Sequence, residues 1–377
     1  MGNWGDGGLG VWGDEGTNLI PHTSYLEPHT SWYDRPMHDP SFREQLYRSA
    51  DRLFGWLDRF GDGQVLVVGD LALDEFLTGE VERLSREAPV LILRHEETRQ
   101  VPGGAANAVY NLAKLGAKVK VTGLVGDDDS GRSLRRIFTE AGIDTTGMII
   151  DGDRPTVTKT RISGHARQSV TQQIVRVDRK SDAPPRSSLQ QELAAYIGDT
   201  AASVGAIVCS DYGDGVLSAK VIEAALTGDR VIVDAQKDLD RYRGATLFTP
   251  NLPEAEAAVG YSIGDEATLR QAGRDLLAKT AAELMLITRG EEGMSLFGRS
   301  SEAIAVPAFN RTDVFDVTGA GDTVVAALTL ALTAGATPWE AAVLGNLAAS
   351  IVVRQFGTST TSVEEMKQAL ANLLETL

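Results

Sequence analysis

Cysteine is almost absent from this chain. Cys209 stands alone among 377 residues, so no internal disulfide can form and a reducing compartment suits it. It falls in the apolar run Ala206-Ile207-Val208-Cys209 and reads as a buried hydrophobe, not a nucleophile. Histidine is scarce at five, and neither an H-E-x-x-H pattern nor paired C-x-x-C motifs occur, which argues against a catalytic zinc site. Positive charge is short as well. The 36 Lys+Arg stand against 52 Asp+Glu, a net charge of −16. General nucleic-acid binding wants a basic face and is not expected, although a few local cations suffice for a small anionic ligand. No apolar run is long enough to cross a bilayer. Met1-Gly2-Asn3-Trp4-Gly5-Asp6 lacks the charged and apolar blocks of a signal peptide, and Asp6 stands where a myristoylation signal wants Ser or Thr. A cytoplasmic protein is the expectation. What is present, 42% apolar and 23% charged residues, is the composition of a packed fold.

Residues 1–63 read as an N-terminal extension. Its first 38 or so residues are rich in Gly, His, Pro and Trp without apolar periodicity, as in a poorly ordered or surface-hugging tail. A helix is predicted over 41–60. Ser41 can N-cap it with Glu44 completing a capping box, and Phe42, Leu46, Ala50, Leu53, Leu57 and Phe60 recur at helical spacing before Gly61. Four of the five Trp lie in this extension, at 4, 12, 32 and 56. Two readings stay open: the helix packs on the following domain, or it binds a partner.

From Gln64 to Leu377 short apolar strands alternate with amphipathic helices. Strands are predicted at 65–68, 118–125, 206–209, 230–234, 246–248 and 284–288, with helices at 105–115 and 189–204 among those between. This pattern means an α/β fold with a largely parallel sheet covered on both faces. Ligands in such folds sit at the carboxyl ends of the strands, where Asp70, Asp211, Asp234, Asn251 and Arg289 fall. Two stretches, about 75–101 and 155–180, are β-rich instead and could form a small sheet that covers the strand ends as a lid.

The strongest local signal is Asp316-Val317-Thr318-Gly319-Ala320-Gly321-Asp322, which runs into an apolar helix. Gly-Ala-Gly lets backbone approach an anion, and the helix end offers free amides and a positive dipole. A carboxylate beside an anion site repels phosphate, so Asp322 makes sense there as a general base that takes a hydroxyl proton. Neither a G-x-x-x-x-G-K-[ST] loop nor an H-R-D or D-F-G set is present. In Val157-Thr158-Lys159-Thr160-Arg161, a period of two puts Lys159 and Arg161 on one strand face. They either hold a phosphate or form a solvated face with nearby carboxylate partners.

The 316–322 segment resembles the signature of the ribokinase-type (PfkB) carbohydrate kinases. So do Pro102-Gly103-Gly104-Ala105-Ala106-Asn107, Asn251-Leu252-Pro253-Glu254 and Leu286-Ile287-Thr288-Arg289-Gly290-Glu291-Glu292-Gly293. The strings Val68-Gly69-Asp70-Leu71-Ala72-Leu73-Asp74, Ser210-Asp211-Tyr212, Arg241-Tyr242-Arg243-Gly244, Thr249-Pro250-Asn251 and Gly357-Thr358-Ser359-Thr360 are similar, more narrowly, to the kinase module of the heptose-7-phosphate kinases that feed ADP-heptose synthesis. The resemblance implies a ribokinase-like three-layer α/β/α fold with a small β-rich lid. It implies ATP and Mg²⁺, K⁺ as a monovalent cation, and a homodimer paired through the lid. Asp322 would be the base, with the amides of Gly319, Ala320 and Gly321 on the transferring phosphoryl group. Asp74, Gly103, Gly104 and Asn107 would hold sugar hydroxyls, with Asp211 also on the substrate side and Lys159 and Arg161 on the 7-phosphate. Asn251 and Glu254 would organise Mg²⁺ and phosphates. Thr288, Gly290, Asn346 and Gly357 would border the nucleotide, and Asp316 and Thr318 would serve the monovalent cation. The sequence departs from the pattern at Arg86, where the heptose kinases have Pro, and at Asp234-Ala235-Gln236-Lys237, an altered form of their Asp-Pro-Lys turn. No H-x-G-H motif of a fused nucleotidyltransferase occurs, so a stand-alone D-glycero-D-manno-heptose 7-phosphate kinase is the expectation. Another PfkB-type sugar kinase, or a non-catalytic sugar-phosphate-binding scaffold, is the alternative.

Overall fold

A computed structural model describes residues 40–166, 171–299, 301–310, 314–355 and 357–376. The strands are β1 (Gln64–Gly69), β2 (Leu71–Leu84), β3 (Leu91–Gly104), β4 (Lys118–Gly126), β5 (Asp144–Asp151), β6 (Val157–His165), β7 (Gln172–Arg179), β8 (Ala206–Asp211), β9 (Val231–Ala235), β10 (Leu247–Phe248), β11 (Leu284–Thr288), β12 (Met294–Gly298) and β13 (Ser301–Val306). The helices are α1 (Pro40–Asp58), α2 (Ala105–Lys114), α3 (Asp129–Glu140), α4 (Ser187–Ala201), α5 (Ala219–Ala225), α6 (Leu252–Val259), α7 (Glu266–Thr280), α8 (Ala320–Ala334), α9 (Pro338–Val352) and α10 (Val363–Thr376).

Nine strands form one sheet in the order β13-β12-β11-β10-β9-β8-β1-β4-β5. From β11 to β5 all pairings are parallel, and only β12 and β13 join antiparallel at one edge. Side chains on β1 alternate between two cores, as a strand covered on both faces must. Val65 and Val67 pack with residues of α2, α3, α8, α9 and α10, whereas Leu66 and Val68 pack with residues of α4 to α7. Cys209 is buried in the second core, and burial pushes its thiol up to about 12, so it is inert. Among the described residues no helix is long and apolar enough to cross a membrane.

The two β-rich stretches form a separate sheet in the order β3-β2-β6-β7. One of its central strands, β2, continues straight out of the main sheet. Only Asp70 separates β1 from β2, and β3 ends at Gly104 where α2 begins.

The tail through Asp39, with Trp4, Trp12 and Trp32, lies outside the described residues. The helix after it starts at Pro40, one residue earlier than its expected cap, so Ser41 lies inside the first turn; Glu44 pairs with Arg48. Phe42, Leu46, Leu53 and Leu57 are buried in the first core, with Phe42 stacked edge-on against Trp339 at 6.1 Å. Arg52 Nε donates to Glu340 Oε1 at 2.7 Å, and Tyr47 Oη donates to the Leu374 carbonyl at 2.7 Å. Of the two readings of this helix, packing on the domain is the one observed. Its apolar face packs against α8, α9 and α10.

Candidate active site

Asp322 sits in the first turn of α8, 5% exposed, below the carboxyl ends of the parallel strands. Both of its carboxylate oxygens are held. Asn107 Nδ2 donates to Oδ2 at 2.8 Å, and Tyr212 Oη donates to Oδ1 at 3.1 Å. Asn107 is fixed in turn by Asn111, whose Nδ2 donates to the Asn107 Oδ1 at 3.1 Å; Thr323 Oγ1 donates to Asn111 Oδ1 at 3.0 Å. Burial raises the Asp322 carboxyl to about 6, against the hydrogen bonds from Asn107 and Tyr212; Asp74 pushes it further up and Lys159 pulls it down. The group is thus a carboxylate at neutral pH with a basicity suited to proton abstraction. Asn107, expected on sugar hydroxyls, spends one amide hydrogen on this carboxylate.

The turn before α8 is shaped for close approach. Gly319 has φ 78°, and a Cβ there would stand 2.6 Å from Asn107 Nδ2. Gly321 has open space where a Cβ would point. The first amides of a helix lack intrahelical acceptors. Of the three expected on a phosphoryl group, that of Ala320 already donates to the Val317 carbonyl at 3.2 Å. The open space in this turn lies at Gly321.

The lid strands bring a second set of groups over the site. The Asp74 carboxylate lies against Gly103, where a Cβ would come within 2.7 Å of it. Gly104, at φ 54°, lets the Asp70 carbonyl pass close. These two glycines give room where a side chain would block. In register, Asp74 faces Lys159, and Phe76 faces Arg99 on β3 and Arg161 on β6. The two cations expected together on one face therefore diverge. Lys159 Nζ lies 5.3 Å from the centre of the Tyr212 ring, toward Asp322. Arg161 Cζ lies 5.3 Å from the Phe76 ring, and its Nη1 is 3.1 Å from Asp74 Oδ1, without hydrogen-bond geometry. Arg99 Cζ lies over the same Phe76 ring at 4.8 Å, and its Nη2 would meet a Cβ on Gly357 at 2.9 Å.

On the opposite side, Asn251 and Glu254 form a capping box at the start of α6. Glu254 N donates to Asn251 Oδ1 at 2.9 Å and Asn251 N donates to Glu254 Oε2 at 2.9 Å. Asn251 also bridges in parallel to Thr288 at the end of β11, with Gly290 just beyond. Asp234, at the end of β9, faces this group. Burial, then the charges of Asp322 and Glu254, push its carboxyl up to about 8. Mg²⁺ keeps waters and substrate phosphates among its ligands and needs no closed protein cage. None is formed among the described residues.

Other expected site residues have their side chains engaged elsewhere. Asp211 is a structural anchor, not a substrate ligand. Its Oδ2 accepts Tyr242 Oη at 2.6 Å and Arg241 Nη1 at 3.2 Å, and its Oδ1 accepts Gly213 N at 2.9 Å. Asn346 is buried in α9 and donates Nδ2 to the Pro307 carbonyl at 2.5 Å, so that donor is turned to the fold and away from a nucleotide. Asp316 accepts Thr318 N at 2.9 Å and Gly357 N at 3.0 Å. Burial would raise its carboxyl, but these bonds and Arg161 hold it below the usual range.

The sequence names Tyr212 only within the Ser210-Asp211-Tyr212 string, without a role, and gives no signal for Arg99. Alternation could have found the first. Asp211 ends β8 pointing into the scaffold, so its neighbour points the other way. Arg99 owes its place to the β2–β3 register, which no local pattern encodes.

A family model described as pfkB family carbohydrate kinase matches residues 63–366. The bifunctional protein HldE of Pelobacter propionicus is 43% identical over 330 residues, covering 86% of this chain and 66% of that protein. HldE of Geobacter metallireducens is 44% identical over 313 residues, covering 81% and 62%. The chain thus spans about two thirds of the length of these relatives. Among solved structures, Arabidopsis thaliana ribokinase complexed with ribose and ATP superposes with a TM-score of 0.63 at 19% identity, covering 83% of this chain and 98% of that one. Escherichia coli phosphofructokinase-2 in complex with potassium gives 0.67 at 20%, covering 82% and 99%. At these identities the likeness shows the ribokinase-like fold.

Proposed function

The chain belongs to the pfkB family of carbohydrate kinases, and from that premise we propose that it transfers the γ-phosphoryl group of ATP to the anomeric hydroxyl of D-glycero-D-manno-heptose 7-phosphate. The product is a heptose 1,7-bisphosphate, a precursor for nucleotide-activated heptose. The observation that carries this reading is Asp322, buried and held by two donors beside an open helix end. Asp322 takes the hydroxyl proton as that oxygen forms its bond to the γ-phosphorus and the bond to the ADP oxygen breaks. The amides of the first turn of α8 face the charge on the phosphoryl oxygens. Asn251, Glu254 and Asp234 would hold Mg²⁺, directly or through water, which when bound neutralises phosphate charge. Thr288 and Gly290 border the donor side, whereas Gly357 lies against Arg99 and Phe76 of the lid.

Substrate class is argued from the lid. Asp74, Gly103 and Gly104 face sugar hydroxyls. Two residues further along β2, about 7 Å on, Arg99 and Arg161 share the Phe76 ring, and among the described residues only Asp74 is in ion-pair contact with them. A second phosphate on the sugar answers that excess of positive charge, and guanidinium forks suit it. Lys159 belongs to the reacting end. The exposed face of β7, with Val175 46% and Val177 53% exposed, supports a homodimer paired through the lid. Coupled ADP release across heptose and hexose phosphates tests the reading. Turnover confined to hexose phosphates would replace the heptose with another sugar phosphate, and release with no sugar phosphate would overturn the reading.

A further inference from the structure

We infer that Tyr212 is the positioning residue for the base, holding the Asp322 carboxylate in the orientation that receives the substrate proton. The inference rests on Asp322 being the base. Asp322 has two named holders, and they differ in kind. Asn107 stands on α2 and reaches Oδ2. Tyr212 stands on the loop after β8 and reaches Oδ1 with a phenol that has no other hydrogen bond among the described residues.

The loop that carries Tyr212 is tied on both sides. Asp70 Oδ2 accepts Tyr212 N at 2.9 Å and Asp214 N at 3.0 Å, while Asp70 Oδ1 accepts Val216 N at 3.0 Å. Asp211, the preceding residue, is clamped by Tyr242, Arg241 and Gly213. Two buried carboxylates, each binding two or three partners, are a large investment in one short loop. Buried carboxylates need such partners, but the loop they fix presents one side chain to the site, and that is Tyr212. A Lys159 ammonium 5.3 Å over the ring polarises the phenol toward donation. The groups facing Asp322 from its surroundings are Asn107 on α2, Tyr212 after β8, Asp74 on β2, Lys159 on β6 and Asp234 on β9.

A phenol that donates to a carboxylate stabilises its ionised form. Removing it raises the carboxyl's midpoint, and a hydrogen bond to a charged group is strong enough for about one pH unit. The test is a titration of the ligand-free protein labelled with carboxyl-¹³C aspartate, the Asp322 signal being the one missing from Asp322→Asn. Tyr212→Phe should raise the midpoint by about one unit. Replacing Tyr212 with 3-fluorotyrosine, which keeps the shape and donates more strongly, should lower it; this arm stands even if the Phe variant folds poorly. With substrate, the acid limb of kcat/KM should move in the same directions. An Asp322 midpoint unmoved by either replacement overturns the inference, as does a loss of turnover equal at every pH. Wild-type turnover in Asp322→Asn would instead remove the base itself, and the inference with it.

Discussion

One methyl group added at Gly319 and, separately, at Gly321 separates the two tasks of the turn before α8. At Gly319 φ is 78°, and the new Cβ would stand 2.6 Å from Asn107 Nδ2. Alanine in a left-handed conformation costs about 1–2 kcal/mol. Displacing Asn107 also withdraws its bond from Asp322, worth about 1.5–3 kcal/mol for a charged acceptor. At about 1.4 kcal/mol per factor of ten, that second loss lowers turnover roughly 10- to 100-fold. Gly319→Ala should therefore lose both stability and rate. Gly321→Ala meets nothing within 4 Å and needs no unusual backbone angle. Its fold should be unharmed, or firmer by about 0.4–1 kcal/mol through a stiffer unfolded chain. Its methyl fills the space assigned to the phosphoryl group, so turnover should fall at least about tenfold. Urea unfolding and coupled ADP release, run on both variants, read the two quantities. Wild-type turnover in Gly321→Ala would refute the placement of the phosphoryl group, and wild-type turnover in Gly319→Ala would refute the link through Asn107.

Asp322→Asn should fold normally and lose about 10²–10⁴-fold in turnover; more than about a tenth of wild-type rate would disprove the base. Arg161→Ala should raise KM for the sugar phosphate at least about tenfold, or 1.4 kcal/mol, with KM for ATP unchanged and the effect shrinking in high salt; an unchanged sugar-phosphate KM would refute its contact. Asp234 keeps a proton up to about pH 8 that the unfolded chain, at the ordinary 3.8, has released. Its contribution to stability is complete below 3.8 and is lost as pH rises through about 8. Asp234→Asn should hence melt higher than wild type at about pH 8.5 and gain nothing at about pH 4, and a difference independent of pH would count against this. Leu53→Ala in α1 should cost about 2–5 kcal/mol, because Leu53 is fully buried in the first core; a loss below about 1 kcal/mol, read from urea unfolding, would mean the helix is dispensable.

Much of the scaffold was legible because its signals are local. The β1, β4, β8 and β9 runs are short, apolar and followed by polar residues, and the Gly-rich turn names its own helix. Site residues on such turns, Asp322 and Gly319 above all, could be placed by number. Residues whose role depends on register could not. Lys159 and Arg161 share a strand face as period two requires, yet Asp74 and Phe76 opposite them on β2 send them to different neighbours. Asp211 and Tyr212 are adjacent in sequence and opposite in duty, and the difference lies in Tyr242 and Arg241, thirty residues on. The capping box at Asn251 is the reverse case, where a motif read for its ligands also turns out to build the helix end that presents them.

Two of the lid's connections to the body have no slack. A single residue, Asp70, separates β2 from β1, and β3 passes directly into the helix that carries Asn107. Asp70 spans both joints: its carbonyl accepts Ala105 N at 3.1 Å, and its carboxylate holds the Tyr212 loop. Mechanically this is a plate on two short, stiff legs, and the legs stand on the two residues that grip the base. Any tilt of the plate is therefore felt as torque at Asn107 and Tyr212.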